Sequence, residues 1–305
     1  MGRVKSNDPC HCGSGKKYKR CHMNSDSVRP VERLKIQQRR YEQSWGENAT
    51  CFDTQGCYSW MAEIATRTNP RVAVDIGCGN GLGLLALLKS GNNFDRVVGL
   101  DENQFCLAST KVRLENEGYT VELVDRAKAK NVNNLCHRYD YLPILERSNA
   151  QITLIQSDIL SDPHILDYLK SLGGVDLITA WLIGTHEERK NCIDIDNLNI
   201  KTSGGYRLRV QNRIYEYADV TLSSGGLLQV VDRAEVPSTE ALKQDFVSAH
   251  KDQASVTSLV VGPLDYMEYS ESDSVTSVKM VETIGTSGRQ PDFQTKAMIS
   301  VCSKK

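Results

Sequence analysis

No run of the 305-residue sequence approaches the roughly 18 apolar residues that a membrane-spanning helix needs. The N-terminus also has no apolar core of the kind a secretory leader carries. Membrane-spanning and secreted classes are therefore set aside, and the expected location is cytoplasmic. The ten cysteines are scattered along the chain, and without a secretion signal they read as a mostly reduced set. An excess of one charge is missing too, with 37 Lys/Arg against 38 Asp/Glu. The balance is uneven, however: residues 1–50 hold eleven Lys/Arg and five Asp/Glu, so the remainder is acidic. A basic head on an acidic body suits an acidic partner. A solvated tail has the same composition, and charge alone does not separate the two. What is present is ordinary for a globular protein, 40% hydrophobic and 25% charged residues. The chain is long enough for one large α/β domain with a small appendage.

The chain is organised around Val72-Ala73-Val74-Asp75-Ile76-Gly77-Cys78-Gly79-Asn80-Gly81-Leu82-Gly83. A run rich in β-branched residues ends in an acid, and a glycine-dense turn leads to the apolar stretch Leu84 to Leu88. That order reads as strand, tight loop, helix. Glycines let the backbone turn sharply and approach a ligand closely, and the loop delivers a helix N-terminus to a polar or anionic group. A dinucleotide fingerprint, G-x-G-x-x-G, would need glycine at Leu82 or Leu84, and neither frame has it. What stands is G-x-G-x-G, two residues after Asp75. This pattern resembles motif I of the class I S-adenosylmethionine-dependent methyltransferases. The resemblance implies that Asp75, Gly77, Cys78, Gly79 and Gly81 bind the cofactor, the loop wrapping its methionine end and Asp75 orienting its ammonium group.

Later segments keep the same register. Arg96 to Asp101 reads as a second strand ending in acids, with Asp101 20 positions beyond Gly81. An acid there is placed to accept hydrogen bonds from ribose hydroxyls, and Asp101-Glu102 resembles the family's acidic position. Ile152 to Gln156 is the third strand. Asp158-Ile159 after it resembles the adenine-binding position, which implies a carboxylate accepting from the exocyclic amine and Ile159 packed on the ring. Val175 to Trp181 is the fourth strand, and its C-terminal end is where ligands gather in an open parallel sheet. The Asn/Asp-Pro-Pro-aromatic tetrapeptide of the amino-methylating branches is absent, with Ala180-Trp181-Leu182-Ile183 in its place. Trp181 is a candidate wall of the methyl-transfer pocket, and His186 and Glu187 are candidate proton acceptors. The plainer reading puts Trp181 in the core and leaves His186 and Glu187 to cap the next helix. Tyr58, in the helical pattern before the glycine loop, reads first as core and second as a cofactor contact.

The remaining segments complete an expected Rossmann-like α/β fold: a seven-stranded, mostly parallel sheet with helices on both faces. Residues 119–150 are longer than a connection needs and read as an insertion that could be helical. The polar stretch 188–205 reads as a lid or substrate contact. A helix is expected over Tyr206–Leu222, a fifth strand near Leu227–Asp232, and a final antiparallel pair over 256–269 and 295–302.

The N-terminal segment carries a second motif. Cys10 and Cys12 flank one residue, and Cys21 and His22 follow after eight. Four soft or borderline ligands, three thiolates and one imidazole, are what tetrahedral zinc takes. A segment so short has no core of its own, so metal binding would supply its folding energy. The run Cys12-Gly13-Ser14-Gly15-Lys16-Lys17-Tyr18-Lys19 resembles the SEC-C motif, known from the bacterial translocation ATPase as a docking module. His11 reads as an exposed bystander. The domain reading is thus a SEC-C zinc module over 1–23, a basic linker or helix over 24–51, and a methyltransferase domain over 52–305.

Together these expectations give a methyltransferase with S-adenosylmethionine and zinc as its cofactors. Its macromolecular substrate (protein, ribosome or RNA) would be recruited through the zinc module. A methyltransferase of small molecules and a non-catalytic S-adenosylmethionine-binding regulator are the alternatives.

Overall fold

A computed structural model of the chain describes residues 5–10, 15–21, 23, 28–144, 150–196, 198, 200, 202–274, 277–278 and 296–305. Its first long element is helix α1 (Pro30–Thr54). Pro30 opens it, where a fixed φ is preorganised and a missing N–H costs nothing. Buried Leu34, Gln38, Trp45, Ala49 and Phe52 recur at three-, four- and seven-residue steps, a single stripe facing the body. The expected linker is therefore a packed helix that runs through residue 51 without a break. Gly56, at φ 77°, turns the chain into α2 (Cys57–Ala65).

Strands and helices then alternate: β1 (Val72–Ile76), α3 (Leu82–Lys89), β2 (Arg96–Asp101), α4 (Gln104–Asn116) and β3 (Val121–Val124). A hairpin of β4 (Ala127–Asn131) and β5 (His137–Tyr141) follows, then β6 (Ile152–Gln156), α5 (Ile165–Ser171) and β7 (Val175–Trp181). The chain ends with α6 (Ser203–Thr221), β8 (Leu222–Glu235), α7 (Glu240–Ala254), β9 (Val260–Tyr269) and β10 (Lys296–Lys304). Side-chain caps start three helices: Asn103 accepts from the Phe105 N–H, Thr202 from Gly205 and Thr239 from Leu242.

The main sheet has the order β3-β6-β2-β1-β7-β8-β10-β9. The first six strands in that order are parallel, and β10 is antiparallel to both β8 and β9. Strand order reverses at β1, whose neighbours β2 and β7 lie on opposite sides. The C-terminal ends of β1 and β7 are therefore the topological switch point, where an open α/β sheet offers a crevice. Residues on β1 alternate between two cores. Ala73 joins Trp45, Phe52 and Leu84 on one face, while Val74 and Ile76 join Leu169, Ile214 and Tyr215 on the other.

Two expectations need correction, and both lie in the stretch read as a helical insertion. Among the described residues the sheet has eight strands, not seven, because Val121–Val124 adds a parallel edge strand beside β6. The segment after it is a hairpin. Its period is two: His137 and Tyr139 are buried and Tyr141 half-buried, while Lys128, Lys130 and Arg138 are exposed. Cross-strand pairs Ala129 with Tyr139 and Lys130 with Arg138 put apolar with aromatic on one face and charge on the other.

Candidate functional site

The glycine loop between β1 and α3 crosses the switch point. Gly77, Gly79 and Gly81 have φ of 78°, 56° and 83°, the left-handed region that glycine enters without a Cβ penalty. Space is short as well. A Cβ on Gly77 would lie 2.6 Å from Ile183 Cδ1, and one on Gly81 3.0 Å from the Thr110 backbone. The loop is pinned from below, with Leu100 O accepting from the N–H groups of Gly77 (2.7 Å) and Cys78 (3.0 Å). The Gly79 N–H donates to Asp101 Oδ2 at 2.9 Å, and Asp101 Oδ1 takes the Asn103 N–H at 2.8 Å. The Cys78 thiol is buried beside Gly99, so only its backbone faces the loop's work.

A cavity of about 680 Å³, counted with the space open to solvent, runs along the strand ends above this loop. Gly77 and Gly79 line it at β1, Asp101 and Glu102 at β2, and Ser157, Asp158 and Ile159 at β6. Ile183, Thr185 and His186 close it from the segment after β7, and Tyr206 and Val210 from α6. Residues from three neighbouring strands that are far apart in sequence thus meet around one space. Asp75 lies under the loop, 3% exposed, and accepts from the Thr179 hydroxyl at 2.7 Å.

Burial raises two of these acids. The Asp75 carboxyl is pushed up to about 6, with the Thr179 hydrogen bond opposing the shift. Asp101 is pushed up to about 7 by burial and by the adjacent Glu102 charge. Glu102 goes the other way: burial would raise it, but His186 and Arg189 outweigh that and hold it at about 2.

The turn after β7 (Glu187–Asn191) divides its residues sharply. Glu187 is exposed, whereas Glu188 and Arg189 are buried. Arg189 pairs with Asp158, donates to the Tyr206 hydroxyl at 3.0 Å and stands 3.9 Å from Glu102 Oε2. His186 Nε2 pairs with Glu102 Oε1 at 2.8 Å, and Nδ1 has no hydrogen-bond partner among the described residues. Leu182, just before, has φ 57°, a conformation that costs a branched side chain roughly 1–2 kcal/mol. It is fixed there by its N–H bond to Val231 O at 2.8 Å. Trp181 is not at the cavity: its indole N–H donates to Gln229 Oε1 at 2.9 Å within the core, beside Gly83. Tyr58 belongs to the same core.

Three contributors come from α1, and they were missed in the sequence. Tyr41 and Trp45 line the cavity, with Trp45 Nε1 over Gly79. Gln38 donates to Glu102 Oε2 at 3.0 Å and to the Tyr139 hydroxyl at 2.9 Å. The signal available was the apolar spacing Leu34, Tyr41, Trp45, Ala49 and Phe52, partly hidden by the basic residues between.

At the N-terminus the segment folds back on itself. Lys16 O accepts from the Cys10 N–H and Asp8 O from the Tyr18 N–H, both at 2.8 Å, with Gly15 at φ 70° in the turn. Cys10 is buried and Cys21 partly so, two soft donors of the kind zinc takes. Cys12, His22 and His11 lie outside the described residues. Among the described residues no three His, Cys, Asp or Glu side chains are gathered as a metal site. Among them, too, no helix is long and apolar enough to cross a membrane.

Residues 7–24 match the family model of the SEC-C motif, and no curated protein matches the chain. Among solved structures the chain is similar to precorrin 8w decarboxylase from Methanobacterium thermoautotrophicum, at 14% identity, 81% and 89% coverage of the two chains and a TM-score of 0.39. It is similar to precorrin-6y C5,15-methyltransferase from Geobacter metallireducens at 14%, 82% and 88%, with a TM-score of 0.41. A third is the N-methyltransferase NodS from Bradyrhizobium japonicum, in complex with S-adenosyl-L-homocysteine, at 8%, 82% and 86%, with a TM-score of 0.42. Likeness this distant says nothing of activity, and the function has to be read from this chain's own residues.

Proposed function

We propose that the chain is an S-adenosylmethionine-dependent methyltransferase that acts on a macromolecule, recruited through a zinc-loaded SEC-C module. The observation that carries this reading is the convergence of the Gly77–Gly81 loop, Asp101 with Glu102, and Ile159 on one cavity at the sheet's switch point. The cradle fits the cofactor's amino-acid end. A backbone without Cβ atoms faces that end of the cavity, and Asp75, beneath the loop, is a carboxylate able to answer an ammonium group. Asp101, at the end of the neighbouring strand, stands where ribose hydroxyls would be read. When bound, the cofactor supplies a methyl group on a sulfonium, which leaves as a neutral thioether when a nucleophile's electron pair takes the methyl.

The chain's own task is then positioning. The glycine loop fixes the donor, Ile183 packs over Gly77, and Tyr41 and Trp45 roof the space and exclude water. A proton acceptor is required only for a protonated nucleophile. Of the two candidates, His186 faces the cavity while Glu187 is turned to solvent. In the module, Cys10, Cys12, Cys21 and His22 would hold zinc as a structural, closed set. Its exposed Lys16, Lys17, Lys19 and Arg20 supply charge for an acidic partner. The scattered, reduced cysteines fit a cytoplasmic compartment.

A small-molecule acceptor is the second reading, favoured by the aromatic roof that Tyr41 and Trp45 place over the cavity. One experiment separates the two. Labelled methyl transfer is followed into fractionated cell protein, ribosomes, RNA and small molecules, with the wild type and the Cys10→Ser/Cys21→Ser variant. Label in a macromolecular fraction that falls at least tenfold in the variant supports recruitment. Label in small molecules, unchanged by the variant, contradicts it. No label in any fraction contradicts the enzymatic reading.

A further inference from the structure

The inner side of α1 packs on the body and carries Tyr41 and Trp45 to the cavity. The outer side exposes Lys35, Ile36, Arg39, Arg40 and Gln43, and between Glu32 and Glu47 it exposes no acid. Lys35 and Arg39 stand one turn apart, where like charges weaken a helix. Among the described residues Lys35, Arg39 and Arg40 have no ion-pair partner, and Arg39 lies over the Phe105 ring at 4.8 Å. Elsewhere exposed bases do find acids, as in Arg71–Asp95 and Lys89–Glu117.

The β4–β5 hairpin continues this charge. Its loop is docked on the start of α1: Asn131 Oδ1 accepts from the Val31 N–H at 2.9 Å, and Leu135 O accepts from Arg33 at 2.6 Å. The hairpin exposes Lys128, Lys130 and Arg138. Lys130 and Arg138 are cross-strand partners, a like-charge pair of the kind that weakens a hairpin. Asp140 answers both, at 2.5 and 3.4 Å, and Lys128 is left without an ion pair among the described residues. Cations set against one another on two adjoining elements do not help the chain fold. Their use lies in a partner that is itself densely anionic.

Such a surface fits a polynucleotide better than a protein. Lysine is depleted in protein–protein interfaces, whereas nucleic-acid interfaces are strongly cationic. Helix α1 lies lengthwise on the body, buried along its inner side from Leu34 to Phe52, so it is not free to enter a duplex groove. Its outer face can follow a backbone instead, and unpaired loops and ends are where proteins mostly meet RNA. We propose that the outer face of α1 and the adjoining hairpin bind single-stranded RNA by its phosphates, through Lys35, Arg39, Arg40 and Lys128. The strand then lies about 10 Å, one helix diameter, from the cavity on the inner side of the same helix. This partner rests on the methyltransferase reading and narrows its macromolecule to RNA.

The test is fluorescence anisotropy of a labelled oligouridylate of about 20 nucleotides, titrated with full-length protein, without cofactor, at about 50 to 200 mM salt. Wild type is compared with Lys35→Ala/Arg40→Ala/Lys128→Ala. The control, Lys170→Ala/Lys251→Ala/Lys304→Ala, removes as much charge from exposed positions in the last turns of α5 and α7 and at the end of β10, which lies beside the start of β8. Thermal unfolding checks that both variants keep the fold. The first variant is expected to bind at least about tenfold more weakly at the higher salt. It should also flatten the slope of log affinity against log salt by about 2, since each phosphate contact on a single strand contributes roughly 0.7. The control should stay within about threefold of wild type. A wild type that does not bind the RNA, or equal losses in the two variants, overturns the proposal. So does displacement of the RNA by polyglutamate as readily as by unlabelled RNA, which would mark an acidic protein as the partner, and so does tighter binding of oligothymidylate. None of these outcomes touches S-adenosylhomocysteine binding, on which the methyltransferase reading stands or falls by itself.

Discussion

Arg33 on α1 and Glu188 in the turn after β7 form a buried ion pair at 3.1 Å, across 155 residues of sequence. The same guanidinium donates to Leu135 O at 2.6 Å, so one side chain ties α1, the hairpin loop and the wall of the cavity together. The next residue, Arg189, holds Asp158. Two consecutive side chains of one short turn therefore anchor the roof of the cavity and its floor.

Removing one member of the Arg33–Glu188 pair leaves a buried charge without a partner. Glu188→Ala is expected to cost about 3–5 kcal/mol of stability, whereas an Arg33→Met/Glu188→Leu double variant recovers most of that loss. Urea unfolding of the two proteins measures it. A Glu188→Ala cost below about 1 kcal/mol would mean that the pair is not closed in solution.

Gly81 and Gly91 share the same φ of 83°, but a Cβ at Gly91 meets open space while one at Gly81 lies 3.0 Å from the Thr110 backbone. Gly91→Ala should therefore cost about 1 kcal/mol from backbone strain alone. Gly81→Ala should cost at least about 2 kcal/mol more, from overpacking that no side chain can relieve. Equal costs, read from thermal or urea unfolding, would show that the loop is not held against α4.

That loop was the most legible part of the chain. Gly77, Gly79 and Gly81 are spaced by a backbone need that a sequence states directly, and the acids at the end of β2 follow at a fixed topological distance. The roof of the cavity was not legible, because its helix buries Arg33, Gln38 and Asn48 as well as Trp45 and Phe52. Whether those polar residues face inward depends on partners such as Glu188, Tyr139 and Val278, all more than 60 positions away. The same holds for Arg189, which has no local signal. The hairpin was misread for a different reason: its period-two pattern is only five residues long on each strand. Trp181 and Glu187 each had two readings, and in the fold Trp181 is in the core and Glu187 is exposed.

Asp75 sets a pH dependence whose sign is fixed by burial. Its carboxyl rises from an ordinary 3.8 to about 6 in the fold, so between those values the folded chain binds more protons than the unfolded one. Its contribution is fully present below about pH 4 and is lost as pH rises through 6. Asp75→Asn, which keeps an oxygen for Thr179, should match the wild type near pH 4 and exceed it at pH 8. The rise from 3.8 to about 6 bounds that gain at roughly 3 kcal/mol. Urea midpoints at the two pH values test this, and a variant less stable than wild type at pH 8 contradicts it. The same Asn variant should bind an ammonium-bearing ligand more weakly, since the carboxylate's burial cost is then the counterpart of its use.

Chelation should separate the two halves of the account. A structural zinc supplies the folding energy of its own segment and none of the cavity's. Metal analysis is expected to find one zinc per chain, lost in Cys10→Ser/Cys21→Ser. Nucleoside binding by that variant should stay within twofold of wild type. Loss of binding on chelation would instead place the metal's influence at the cavity.

The central claim is that the cavity above Gly77, Asp101 and Ile159 takes S-adenosylmethionine. Calorimetric titration of the full-length protein with S-adenosylhomocysteine, beside NAD as a control, tests it most directly. The account predicts saturable one-to-one binding of the first, lost by at least tenfold in Asp101→Ala, and no binding of the second. Binding of NAD alone, or of neither compound, would contradict it.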